Sequence, residues 1–271
     1  MFRSKIFHNV TKKSPIIFSP YLQSRLYRAN HTPTAEQTIQ SNVGLAEFIN
    51  KTYLYTGGSI VASLGIGALT GGMCMNFSME TLISGAILAI GGSIGLGMTN
   101  PIVHREKSKY YSTNPLSRQL AYGSLVTGIG LMMGPAMVMA EMSQVLIPSI
   151  FMTSMIFVGA SVYARSCKTD SLLVMGPALY GGLFGLIGCG LIAVVSPIFF
   201  GPSNFALMFH TIDLYAGVPL FTGFIAYDTH VAIAMYNKGN ADHLGCSAQL
   251  YLDFINILIR LMEILAKAKR K

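Results

Sequence analysis

Two short runs near the C-terminus hold the residues best suited to chemistry: Tyr227-Asp228-Thr229-His230 and Tyr251-Leu252-Asp253-Phe254-Ile255-Asn256. Each aspartate lies in a long apolar block, where an ionisable group costs roughly 2.5–3.5 kcal/mol at mid-helix and therefore points to function. Halfway between them runs a polar stretch, Asn237-Lys238-Gly239-Asn240-Ala241-Asp242-His243, which reads as a turn. In an antiparallel helix pair, residues equidistant from the turn share a depth, here roughly 12 Å at 1.5 Å per residue. Two carboxylates held close in a low dielectric cannot both ionise cheaply, so the pair should share a proton and titrate as a unit. Protonated, they bond to each other and clamp the helices. Deprotonated, they offer at most about four oxygens, against the roughly 6–8 that Ca²⁺ prefers, so a Ca²⁺ site at Asp228 and Asp253 should be weak and completed by carbonyls and water.

Supporting residues cluster around the pair. Asn256 and Arg260 follow Asp253 at i+3 and i+7, on one helix face that should turn inward. Tyr227 and His230 flank Asp228, and Glu263 is expected to pair with Arg260 one turn away. Asp213, about 22 Å before Asp228 along a helix, is expected beside His210 at the opposite interface, as a solvated acid or the far mouth of a pathway. Glu141 reads as interfacial. The plainer alternative is a structural polar seam in which the aspartates only hydrogen-bond their neighbours.

Other chemistries fit worse. Intramembrane aspartyl proteolysis needs Gly-x-Gly-Asp at the second aspartate, where this chain has Gln249-Leu250-Tyr251-Leu252-Asp253, and Pro177-Ala178-Leu179 precedes both aspartates instead of following them. The six histidines show no HExxH spacing. Cys74, Cys167, Cys189 and Cys246 form no CxxC and read as free thiols. Neither enzymatic activity nor a cofactor is expected.

The elements that position these residues must lie in lipid. With 52% hydrophobic residues, 11% charged and a mean hydropathy of +0.51, a soluble domain is excluded. The fold class is all-α: a polytopic membrane protein of about seven transmembrane helices. The apolar blocks run about Leu54–Phe77, Leu82–Val103, Gln119–Ala140, Val145–Ala164, Leu172–Val195, Leu207–Tyr236 and Gly245–Ala266. Small-residue pairs Gly67/Gly71, Gly91/Gly95 and Gly181/Gly185 should let helices approach closely, and Pro135, Pro177 and Pro219 should kink the blocks that hold them.

The net charge of +8 sits mostly at the start. Residues 1–35 hold six bases and no acid, leaving 13 bases against 11 acids elsewhere, and no basic groove suggests nucleic acid. The organisation expected is a mitochondrial transit peptide over 1–35, a linker over 36–52, a membrane domain over 53–266 and a basic tail over 267–271. Loops after the second, fourth and sixth blocks carry Arg105, Lys107, Lys109, Arg118, Arg165, Lys168 and Lys238, while the alternate loops carry no Lys or Arg. The basic loops should therefore face the matrix. An odd number of crossings then sets the basic tail on the other side: either the tail is an exception, or the last block is re-entrant or central and does not fully cross.

Tyr227-Asp228-Thr229, the 25-residue step and Leu250-Tyr251-Leu252-Asp253-Phe254-Ile255-Asn256 with Arg260 together resemble the C-terminal signature of the transmembrane Bax inhibitor motif family. The basic presequence, Asn100-Pro101, Met133-Gly134-Pro135, Met175-Gly176-Pro177 and Tyr215-Ala216-Gly217 resemble its mitochondrial branch most. The resemblance implies a seven-helix fold with the last helix central. It also implies pH-sensitive Ca²⁺ leak or Ca²⁺/H⁺ exchange through Asp228 and Asp253, and roles in cell-death control and inner-membrane organisation. His230 stands where the family commonly has glutamine, and Arg105 is the candidate basic partner of Asp228. The function expected is proton-sensitive Ca²⁺ transport across the mitochondrial inner membrane. The alternative is a non-transporting scaffold or apoptosis regulator with structural aspartates. The partners expected are membrane lipid, Ca²⁺, protons and other inner-membrane or cell-death proteins.

Overall fold

The computed structural model describes residues 35–73, 79–106, 109–167, 172–201 and 204–270. The transit peptide read over 1–35 lies, but for its last residue, outside the described residues, as do Cys74, Lys107, Lys168 and Lys271. The chain divides at Asn42. Of the first unit the described part is the opening of α1, and the second, Val43–Lys271, is a helical bundle.

Seven long helices make up the described chain: α1 (Ala35–Met73), α2 (Met79–Met98), α3 (Leu116–Met142), α4 (Leu146–Ser166), α5 (Gly176–Phe200), α6 (Asn204–Asn237) and α7 (His243–Lys269). The first six contain stretches long and apolar enough to cross a bilayer. Their outward faces carry large apolar side chains such as Leu54, Ile87, Phe151 and Phe184, which is the surface that lipid requires.

Helix α7 is different. It is amphipathic by sequence, yet fourteen of its residues are buried, because α1, α3, α4 and α6 surround it. The last helix is therefore central, and its polar residues face other helices instead of lipid. It also runs the length of α3. Asp242 at its N-cap is bound by Arg118, whereas Lys269 at its other end donates to Gln144 in the α3–α4 turn at 3.0 Å. Its 27 residues span about 40 Å.

Several boundaries differ from expectation. Residues 36–52, read as a linker, are helical throughout, with Phe48 and Ile49 buried against α6 and α7. Val103, read into the second span, belongs to an antiparallel hairpin of β1 (Ile102–Glu106) and β2 (Lys109–Thr113). Pro177 lies in the first turn of α5, where its missing N–H leaves no bond unmade, so it starts the helix and does not kink it. Pro135 and Pro219 are interior, and Pro197 is a further interior proline. Cys167, Cys189 and Cys246 are free thiols.

Only some of the glycine ridges carry close approach. A Cβ on Gly67 or Gly71 would strike α3, but around Gly91, Gly181 and Gly185 there is open space. The tightest crossing joins α2 and α3: a Cβ on Gly92 would lie 2.6 Å from the Ala121 carbonyl oxygen, and one on Gly128 would lie 2.5 Å from that of Gly85. Backbone cannot step aside as a side chain can. Gly92→Ala and Gly128→Ala should each cost about 1–3 kcal/mol, read as a lower thermal midpoint in detergent, with Gly181→Ala as the neutral control. A midpoint equal to that control would refute the close crossing.

Candidate functional site

Helices α6 and α7 run antiparallel from a short turn, stabilised by Asp242, whose side chain caps α7 by accepting from the Gly245 N–H at 3.0 Å. From that turn the two aspartates meet at equal depth. Asp228 and Asp253 are 7% and 6% exposed, and their carboxyl groups face one another. Asp253 Oδ2 is buried without a hydrogen-bond partner. A buried, unpaired carboxyl oxygen is costly, so its retention calls for a ligand or a proton.

Both aspartates line a cavity of about 540 Å³ among α5, α6 and α7, together with Tyr180, Asp213, Asn256 and Arg260. Asn256 and Arg260 thus share the Asp253 face as their spacing requires. Tyr227 instead faces an apolar cavity of about 360 Å³ bounded by α4, α5 and α6, and its ring meets Tyr180 edge-on at 6.1 Å. His230 is fully buried in α6 and does not line the aspartate cavity.

Three pairings differ from expectation. Arg260 does not pair with Glu263. It donates to Asp213 Oδ1 at 3.1 Å, while Glu263 binds His210 at 2.5 Å and Lys267 at 2.8 Å. The cause is the reach of the Arg260 side chain along one face of α6, where Asp213, Gly217 and Phe221 follow at four-residue steps. Phe221 is equidistant from the turn with Arg260 and lies under its guanidinium at 4.9 Å, yet the acid that Arg260 binds lies a further 221 − 213 = 8 residues along α6. Asp213 therefore joins the aspartate cavity instead of standing apart at an interface. Nor does Arg105 serve Asp228: it lies on the exposed strand β1, stacked on Tyr110 at 5.6 Å. Among the ion pairs of the described residues, none involves Asp228 or Asp253.

Arg118, read as a loop charge, is 3% exposed within α3. It binds Asp242 at 2.5 Å and donates to the carbonyls of Leu96 and Thr99 at the end of α2. Close by, Ser112 of β2 donates to the Ala241 carbonyl at 2.6 Å and bonds His243 Nδ1 at 2.9 Å, while Asn114 bonds His243 Nε2 at 3.1 Å. The hairpin and the α6–α7 turn thus lie on one face, as the alternation of basic loops requires. Between that face and the aspartates sits an apolar cluster of Phe48, Ile49, Ala232, Tyr236 and Cys246. The acids line the cavity that α5, α6 and α7 enclose.

A central polar helix, paired buried carboxylates and a lipid-facing outer shell define a multi-pass helical membrane protein with an acidic site in its interior. The family model described as "Inhibitor of apoptosis-promoting Bax1" matches residues 45–270, and the chain belongs to that family. Among similar proteins, the probable Bax inhibitor 1 of Paralichthys olivaceus is 32% identical over 197 residues, covering 70% of this chain and 77% of its own length. Bax inhibitor 1 of Bos taurus is 29% identical over the same shares. The growth hormone-inducible transmembrane protein of Rattus norvegicus is 26% identical over 243 residues, covering 82% of this chain and 64% of its own length.

Proposed function

We propose that this chain carries Ca²⁺ across the mitochondrial inner membrane in a proton-sensitive manner, by Ca²⁺/H⁺ exchange or as a pH-gated leak, with Asp228 and Asp253 as the ion-binding pair. The observation that carries this reading is Asp253 Oδ2, buried and unpartnered beside a second carboxyl group on the wall of a cavity. Protonated, the pair is satisfied by its mutual hydrogen bond. When the proton leaves, two negative charges remain in a poorly solvated site, and a divalent cation is the counter-charge that relieves them. Proton and cation thus compete for the same oxygens, and the chain acts as a conduit, not as an enzyme.

Supporting the mitochondrial assignment are the acid-free basic start of the chain and the similarity to the growth hormone-inducible transmembrane protein. The family description supports a role in cell-death control, and cristae organisation with other inner-membrane or cell-death proteins belongs to the same proposal. Fusing residues 1–40 to a soluble reporter should send it to the matrix, and a cytosolic reporter would refute the location.

A scaffold reading has one observation in its favour: no group of three or more metal-binding side chains occurs among the described residues, so the carboxyl–carboxyl contact could serve only to clamp α6 to α7. Ca²⁺ flux into vesicles holding this chain alone separates the two. Transport predicts flux that responds to an imposed pH gradient, and the scaffold predicts none.

A further inference from the structure

The aspartate cavity has a second charged station, and the protein fills it with its own cation. Arg260 donates from Nη2 to Asp213 Oδ1 at 3.1 Å and from Nε to the Asp213 carbonyl at 3.3 Å. Its Nη1 donates to the carbonyl and Oδ1 oxygens of Asn256, each at 3.2 Å. Phe221 lies beneath the guanidinium, and Gly217 leaves the space through which it passes, since a Cβ there would stand 2.5 Å from Arg260 Cδ. Both charged side chains are mostly buried, at 14% and 23% exposed. The Cα of Arg260 lies seven residues beyond that of Asp253, about 10 Å along α7.

We propose that Arg260 limits cation occupancy of this cavity. Its guanidinium occupies Asp213, the third carboxylate on the wall, and opposes a divalent cation at the Asp228–Asp253 pair through a partly desolvated space. A cation gains Asp213 as a second station only when Arg260 swings away. The inference deepens the transport reading and rests on it, and the unpartnered Asp253 Oδ2 is the independent sign that the cavity takes a ligand. Because a fixed charge on the wall of the same cavity acts strongly on a divalent ion in such a medium, removing it should change affinity about tenfold or more.

The test is a Tb³⁺ titration of the full-length chain in detergent, read by tyrosine-sensitised luminescence. Tyr180 lies on the cavity wall, and the chain has no tryptophan to compete. Arg260→Gln should bind Tb³⁺ about tenfold more tightly than the unaltered chain, and Arg260→Gln combined with Asp213→Asn should lose that gain. Asp213→Asn alone leaves the guanidinium charged and unpaired by acid, so it should bind more weakly. Gly217→Ala displaces Arg260 without altering any charge and should show a partial gain. No tightening in Arg260→Gln, or a gain that survives loss of Asp213, overturns the inference. If Arg260→Gln fails to fold, unchanged affinity in both Asp213→Asn and Gly217→Ala overturns it equally. Asp228→Asn/Asp253→Asn in the same titration tests the underlying reading separately: binding equal to that of the unaltered chain removes the two-aspartate site whatever the Arg260 variants do.

Discussion

Replacing Asp228 and Asp253 together by asparagine should abolish Ca²⁺ flux in vesicles that hold this chain alone. Asparagine keeps the shape of the side chain and one carbonyl oxygen, so α6 and α7 can remain bonded to each other, and the double variant should insert and elute as the unaltered protein does. What disappears is the negative charge and the exchangeable proton. Each single variant leaves one carboxylate, and since affinity for Ca²⁺ follows the number of charged oxygens steeply, flux should fall about tenfold or more. The pH dependence of any remaining flux should also change, because a lone carboxylate no longer shares its proton with a neighbour. In the unaltered protein, acid fills the pair with protons and flux should decline as the pH falls. A double variant with undiminished flux and the same pH profile would leave the aspartates a structural role only.

The largest expected effect on stability lies at the N-cap of α7. Arg118 and Asp242 are buried together, and the same arginine ties down the last carbonyls of α2 while the same aspartate caps α7. Removing one partner leaves an uncompensated buried charge, at a cost of about 3–5 kcal/mol. Arg118→Met and Asp242→Asn should therefore lower the thermal midpoint of the purified chain more than any substitution in the hairpin. The double substitution should recover part of the loss, since it leaves no charge stranded. If Arg118→Met alone melts with the unaltered protein, the pair contributes nothing measurable.

The paired aspartates were legible in the sequence because helix geometry makes a simple demand: two residues equidistant from a polar turn must face each other. The same symmetry put Phe221 opposite Arg260. It failed for Asp213, eight residues farther along the same face of α6, because symmetry about a turn matches backbone depth and does not count the reach of a long arginine side chain. Arg118 was misread for a different reason. A lone arginine at the edge of an apolar block looks like a loop charge, and its burial depends on Asp242, 124 residues away in the chain. The hairpin was hidden likewise, since its residues read as the end of a span followed by a charged loop, and what holds it is Ser112 and Asn114 on His243. The central place of α7 agreed with the resemblance. Its physical mark is a helix with enough polar residues that lipid alone would not suit it.

Competition between Ca²⁺ and a proton for one pair of carboxylates is the centre of this account. The most direct test is to add Ca²⁺ to the purified full-length chain in weakly buffered detergent solution and follow the pH with an indicator dye. The account predicts a saturable release of protons that disappears in Asp228→Asn/Asp253→Asn. Ca²⁺ binding without proton release, or release of equal size from the double variant, would contradict it.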